Sequence, residues 1–170
     1  MSVLKGKKVY LGGPIQFEIG ENWRLDVKKM LKSEFGLHVL DPYDDPKQQW
    51  VPALAKAQEN RQFKKMRKIA KKFVRKDLCW VDRADFTIHS LPYKVPTAGS
   101  VHEITQASDR KKPALIVCET GREFIPFWYY GFIPLRYMFD NFTQIYEYLR
   151  AVEAKEHMKD DRWHYVYGLI

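Results

Sequence analysis

The sequence predicts an α/β fold, a parallel sheet of four to five strands with helices on both faces. Apolar runs of three to six residues recur along the 170-residue chain. Stretches with apolar residues at helical spacing separate them. Short strands alternating with helices favour parallel pairing, because each crossover helix packs back onto the sheet and covers a face. No linker, repeat or low-complexity segment divides the chain, so residues 1–170 read as one domain. A chain of this length buries roughly 70% of the surface its unfolded form exposes, enough for a full core.

Val9 to Leu11 is the first strand, ended by Gly12-Gly13-Pro14. A helix follows from about Glu21 to Phe35, with Trp23, Val27, Met30 and Leu31 on one face and Gly36 as its stop signal. Leu37 to Leu40 is the second strand, leading into the turn-rich DPYDDP. A long helical region covers about Val51 to Leu78. Phe86 to Leu91 is the third strand and enters the loop PYKVPTAG. Ser100 to Ser108 reads as helix and Ala114 to Val117 as the fourth strand. An aromatic stretch (FIPFWYYGFIPLRYMF), a helix near Phe142 to Met158 and the tail DDRWHYVYGLI complete the chain.

Composition narrows the function. Hydrophobic residues are 45% and charged residues 29%, as in soluble globular proteins. Cys79 and Cys118 form no CxxC pair, so neither a disulfide scaffold nor a zinc site is expected. No run approaches a membrane span and the start MSVLKGKKVYLGGP lacks a signal-peptide core, so a cytoplasmic location is expected. The formal charge of +8 points to nucleic acid or to small anions such as nucleotide phosphates. Much of the excess lies in RQFKKMRKIAKKFVRK, residues 61–76, where a solvated helix face is the simpler account and nucleic acid is disfavoured.

In parallel sheets ligands bind beyond the carboxyl ends of strands, so the residues after each strand carry the functional signal. In YLGGP the two glycines let backbone approach a ligand, or simply make a tight strand exit. Neither GxGxxG nor a Walker loop is present. On the basic helix, Phe63, Met66, Ile69, Ala70, Phe73 and Val74 form an apolar stripe that Asp77 continues. A buried carboxyl there would have a raised pKa suited to proton transfer; pairing with Arg83 is the structural alternative. In TAGSVHE, Glu103 follows Ser100 by three residues, the spacing of a capping box, in which it would only bond back to the Ser100 amide. Its position after a strand, at a helix start that favours anions, supports a functional role instead. His89 and His102 are isolated and receive no role, and Ser90 and Ser100 lack a GxSxG elbow.

Together YLGGP, DPYD, DLCWVDRADFTI, AGSVHEI and KKPALIV resemble the nucleoside 2-deoxyribosyltransferase family and its relatives, the nucleotide N-glycoside hydrolases. The tail RWHYVYGLI is similar to the aromatic C-terminus of some members. The resemblance implies a flavodoxin-like (Rossmann-like) sheet and cleavage of an N-glycosidic bond through a covalent glycosyl-glutamate. It implies Glu103 as nucleophile, Asp77 as the acid that protonates the departing base, and Tyr10 as the residue orienting Glu103. It also implies a homo-oligomer with the site at a subunit interface, and neither metal nor organic cofactor. Gly12, Gly13, Gln16, Asp44, Thr97, Gly99 and Ser100 are the expected substrate-binding positions. Where many transferases carry an aspartate six residues before the nucleophile, this chain has Thr97, which favours a 5′-monophosphate. Transfer to another base, hydrolysis, and binding of a nucleotide without turnover all remain open at this point. Trp163, Tyr165 and Tyr167 would be exposed apolar groups at a terminus, so the tail is expected at a subunit contact.

Overall fold

The computed structural model describes residues 2–14, 21–44, 50–95 and 97–170. The sheet has five strands: β1 (Lys8–Gly12), β2 (His38–Leu40), β3 (Phe86–Ser90), β4 (Ala114–Val117) and β5 (Met138–Phe139). All neighbouring pairs are parallel and the order is β2-β1-β3-β4-β5. This is the flavodoxin-like arrangement, whose strand order reverses between β1 and β3. Every residue of β3 and β4 is buried, as is all of β1 after Lys8. Although β3 (FTIHS) alternates apolar with buried polar residues, strands buried on both sides carry continuous apolar runs, which is why β1 and β4 stand out in the sequence. β5 has only two residues and does not.

The helices are α1 (Glu21–Phe35), α2 (Trp50–Glu59), α3 (Phe63–Arg83), α4 (Ala98–Asp109), α5 (Phe127–Tyr130), α6 (Phe142–Glu153) and α7 (His164–Tyr167). α1 and α6 share one face of the sheet, joined by stacked Trp23 and Phe142 rings 5.1 Å apart and by Arg150 on Glu34. On the opposite face α3 and α4 meet, where Gln106 donates to the Leu78 carbonyl at 3.0 Å. α1 stops where expected: Gly36 takes the left-handed conformation (φ +63°) that lets the next amide return to the helix end, Leu37 N–H to Leu31 C=O.

The long helix expected over Val51 to Leu78 is two helices. Arg61 sits at φ +52°, and the Gln62 amide folds back to the Ala57 carbonyl at 2.8 Å. Neither glycine nor proline marks this break; the Asn60 side chain instead satisfies the last turn, donating to Lys56 C=O at 2.7 Å. The apolar stripe of α3 also differs from expectation, since Phe63 is 66% and Val74 40% exposed while Asp77 and Val81 are its buried residues. The cationic residues of that helix lie exposed.

Trp163 corrects a second expectation, that it would be an exposed terminal group without a subunit contact. Trp163 is fully buried, 5.2 Å from the Phe86 ring, and donates from Nε1 to the Tyr148 hydroxyl at 2.9 Å. Tyr167 bonds Val152 C=O, and of the three tail aromatics only Tyr165 stays largely exposed. Trp163 and Tyr167 therefore pack inside this chain, while Tyr165, Leu169 and Ile170 stay exposed. Between them, residues 124–139 split: Ile125, Tyr129, Ile133 and Tyr137 are buried, whereas Phe127, Trp128 and Leu135 face outward. Trp163→Ala should cost about 3–5 kcal/mol of folding stability, the usual penalty for emptying an aromatic core position. Urea denaturation reads it, and a loss below about 1 kcal/mol would contradict the buried placement.

Candidate active site

At the reversal of strand order, β1 and β3 run side by side with Gly12 opposite His89. The carboxyl ends of these strands bring four sequence-flagged residues together: Tyr10, Gly12 and Gly13 from β1 and its exit, and Glu103 from α4, which follows β3. Tyr10 is fully buried and its hydroxyl donates to Glu103 Oε1 at 2.7 Å. Gly12 is required by packing. A Cβ there would collide with the His89 ring and reach 3.0 Å from Glu103 Oε2. Gly13 is required by backbone conformation, with φ +151° and with Trp23, Ser90 C=O and Arg24 all within 3.3 Å of where a Cβ would sit. Both glycines thus serve a close approach and not only a strand exit.

The capping box does not form. α4 begins at Ala98, its N-cap is Thr97, and Ser100 lies buried inside the first turn. Glu103 therefore sits in the second turn, where it has no helix end to cap, and its carboxyl turns toward β1. Thr97 makes no side-chain capping bond, and a Cβ at Gly99 would meet open space. The first-turn amides of α4 and two hydroxyl-bearing residues thus lie one turn from Glu103.

Electrostatics tie Asp77 to the same place. Burial raises the Tyr10 phenol well above its ordinary pKa, and the charges of Glu103 and Asp77 raise it further. Tyr10 therefore stays a neutral donor across the working pH range. Asp77 is 9% exposed and Glu103 8%, so two buried carboxyl groups act on one phenol. Tyr129, in the segment after β4, is pushed up to about 12 by burial and by the charge of Glu103. Its hydroxyl has no hydrogen-bond partner among the described residues.

The remaining expected positions fare differently. Gln16 lies outside the described residues. Asp44 is held by Lys28 at 2.6 Å, with its side chain 58% exposed, so its carboxylate is engaged at the surface. Among the described residues no cluster of His, Cys, Asp and Glu could hold a metal ion.

Sequence reasoning missed Arg24, His89 and Tyr129. Arg24 is 1% exposed and donates to Leu11 C=O at 3.1 Å, Gly13 C=O at 3.2 Å and Asp41 Oδ1 at 2.6 Å. It locks the β1 exit to the start of the segment after β2. The signal was available, since Arg24, Val27 and Leu31 share the inward spacing of α1. An isolated histidine in FTIHS, among other polar residues, offered no such signal.

Two outcomes follow. Asp41→Asn should cost about 3–5 kcal/mol, because it leaves a buried guanidinium without its counter-charge; a denaturation midpoint equal to that of the parent would contradict this role. Burial lowers His89 to about 3, with Arg24 assisting. Stability that depends on the neutral ring is complete above the unfolded value of about 6.5 and is lost as pH falls through the folded one. The parent should therefore lose more stability between pH 6.5 and 4 than His89→Asn does, measured by denaturation at each pH; parallel losses would contradict a buried neutral ring.

The family described as "Nucleoside 2-deoxyribosyltransferase like" matches residues 6–122 by its sequence profile. Among solved structures, a 2-deoxyribosyltransferase from the psychrotolerant bacterium Bacillus psychrosaccharolyticus superposes with TM-score 0.55 at 15% identity. That match covers 81% of this chain and 89% of the other. A 2-desoxiribosyltransferase from Leishmania mexicana has TM-score 0.46 and 20% identity, over 66% of this chain and 65% of that one, under two thirds of its length. No curated protein matches the sequence. At these identities the structural likeness is one of fold, whereas the profile spans β1 through the segment after β4 and holds Tyr10, Asp77 and Glu103. The chain belongs to the nucleoside 2-deoxyribosyltransferase-like family.

Proposed function

We propose that this protein cleaves the N-glycosidic bond of a (deoxy)nucleoside, or of its 5′-monophosphate, through a covalent glycosyl-Glu103, and transfers the deoxyribosyl group to another base. The observation that carries the reading is the Tyr10 hydroxyl on Glu103 Oε1 at 2.7 Å, in a second helical turn where the carboxyl has no capping role. A carboxylate so placed stabilises the oxocarbenium-like charge that develops as the base departs, and then captures the anomeric carbon. Asp77 is the group proposed to protonate the leaving base, lowering the barrier to its departure. Tyr10, kept neutral by burial, fixes the carboxylate without taking its charge. The second base attacks the same carbon as Glu103 leaves.

One observation favours a second reading, hydrolysis of a 5′-monophosphate. Thr97 is the N-cap of α4 and contributes no side-chain capping bond, so its hydroxyl and the first-turn amides can donate to phosphate oxygens. An aspartate there would set like charges about 4 Å apart, a repulsion of roughly 4 kcal/mol at an effective dielectric near 20. Solvent reduces this, but discrimination of roughly tenfold remains, since each ~1.4 kcal/mol is a factor of ten. In either reading the active assembly is a homo-oligomer with its site at a subunit interface, and the chemistry runs without metal or organic cofactor.

Each deoxynucleoside and its monophosphate, incubated with and without a second base, should release free base, with new nucleoside appearing when the acceptor is present. Glu103→Gln should keep the fold and lose most base release; near-normal turnover in that variant would remove Glu103 from the mechanism. Thr97→Asp should shift the ratio of kcat/KM for monophosphate over nucleoside toward the nucleoside by roughly tenfold. An unchanged ratio would show that no phosphate sits at the start of α4.

A further inference from the structure

His89 is a buried polar side chain at the site that the mechanism above does not use. It lies on β3 with 0% exposure, and neither ring nitrogen has a hydrogen-bond partner among the described residues. A buried donor or acceptor left unpaired costs about 1–3 kcal/mol. β3 is buried on both faces, so an aliphatic residue would occupy position 89 without that cost. The neighbouring strand yields space to the ring as well, since any side chain at residue 12 would strike it. The imidazole is therefore retained against both packing and polarity, beside one particular group. Its Nδ1 is 3.9 Å from Glu103 Oε2, the carboxylate oxygen opposite the one that accepts from Tyr10.

We infer that His89 is a second positioning residue for Glu103, its Nδ1–H holding Oε2 while the Tyr10 hydroxyl holds Oε1. This rests on the reading of Glu103 as nucleophile. At 3.9 Å the pair is beyond hydrogen-bond range, and catalytic hydrogen bonds that are long in an empty site tighten once substrate is bound. The negative charge of the carboxylate favours the tautomer whose N–H faces it. With Oε1 held from β1 and Oε2 from β3, the plane of the carboxylate is fixed by two adjacent parallel strands. The remaining lone pairs then point toward the anomeric carbon. The same donor serves the return step, in which Glu103 is the leaving group and regains its negative charge. Neutrality matters here. A cationic imidazole would pair with the carboxylate and reduce its nucleophilicity, and burial keeps the ring neutral down to about pH 3.

The test compares His89→Leu, His89→Asn and His89→Gln in the full chain, using the deoxynucleoside or monophosphate that the parent turns over fastest. The amide nitrogen of Asn falls where Nδ1 lies, and that of Gln falls near Nε2. His89→Leu should lower kcat by roughly a hundredfold, the scale of an ångström-size misplacement, with KM nearly unchanged. His89→Asn should restore most of that loss and His89→Gln should not. Because the two amides are equally polar, their contrast survives any general effect on folding. An unchanged kcat in His89→Leu, or equal rates for Asn and Gln, would overturn the inference while leaving Glu103 in place. Nitrogen-15 NMR of the His89 ring gives a readout independent of turnover. A protonated Nδ1 whose resonance shifts in Glu103→Gln is expected, and a proton on Nε2 would overturn the clamp. A parent that releases no base from any nucleoside or monophosphate would instead defeat the reading of Glu103, and the ring tautomer would still decide the case of His89.

Discussion

The hydrogen bond from Tyr10 to Glu103 is the constraint on which the arrangement around the β1/β3 boundary depends. It joins the strand that begins the sheet to the helix that follows β3, across the one place where strand order reverses. For the bond to form, the phenol must be buried and neutral, the β1 exit must leave no side chain in the way, and α4 must start early enough to present its second turn. Each condition is met by a separate residue. Gly12 clears the approach, Thr97 begins the helix, and burial together with two nearby carboxyl groups keeps the Tyr10 proton in place.

Charge around this bond is arranged by neutral groups more than by cations. Arg24 is fully buried close by, yet its Nη atoms are committed to Asp41 and to the Leu11 and Gly13 carbonyls. It fixes the backbone at the β1 exit. Lys28 is shared by Asp41 and Asp44. The formal excess of +8 is found elsewhere: residues 61–76 hold nine of the 29 Lys and Arg and no Asp or Glu, leaving 20 against 21 in the rest of the chain. The cationic side chains of α3 are exposed to solvent.

How far the sequence revealed this depended on the kind of signal. β1 and β4 were legible because strands buried on both faces carry unbroken apolar runs, β3 because Phe86 and Ile88 precede a loop rich in proline and glycine, and α1 was legible to the residue because Gly36 supplies its stop. β5 was not, since two residues make no pattern, and the α2/α3 break was hidden because Arg61 takes a left-handed conformation usually left to glycine. In the site, Glu103 was visible but ambiguous: the Ser100 spacing mimics a capping box, a reading that the helix start at Ala98 removes. Asp77 followed from helical periodicity. Tyr129 sits in a stretch so rich in aromatics that burial of one ring among several has no sequence mark. Trp163 was read as an exposed terminus because its partners, Phe86 and Tyr148, lie far away in the chain.

The central claim is that Glu103 becomes covalently bonded to the sugar. The most direct measurement is peptide mapping by mass spectrometry after acid quench of the protein during turnover with a deoxynucleoside or its monophosphate, without a second base. The account expects one deoxyribosyl unit, bearing the phosphate when the monophosphate is used, attached to the peptide that contains Glu103, and its loss when an acceptor base is added before the quench. Active turnover with no adduct at Glu103, or with the adduct on another side chain, would contradict it.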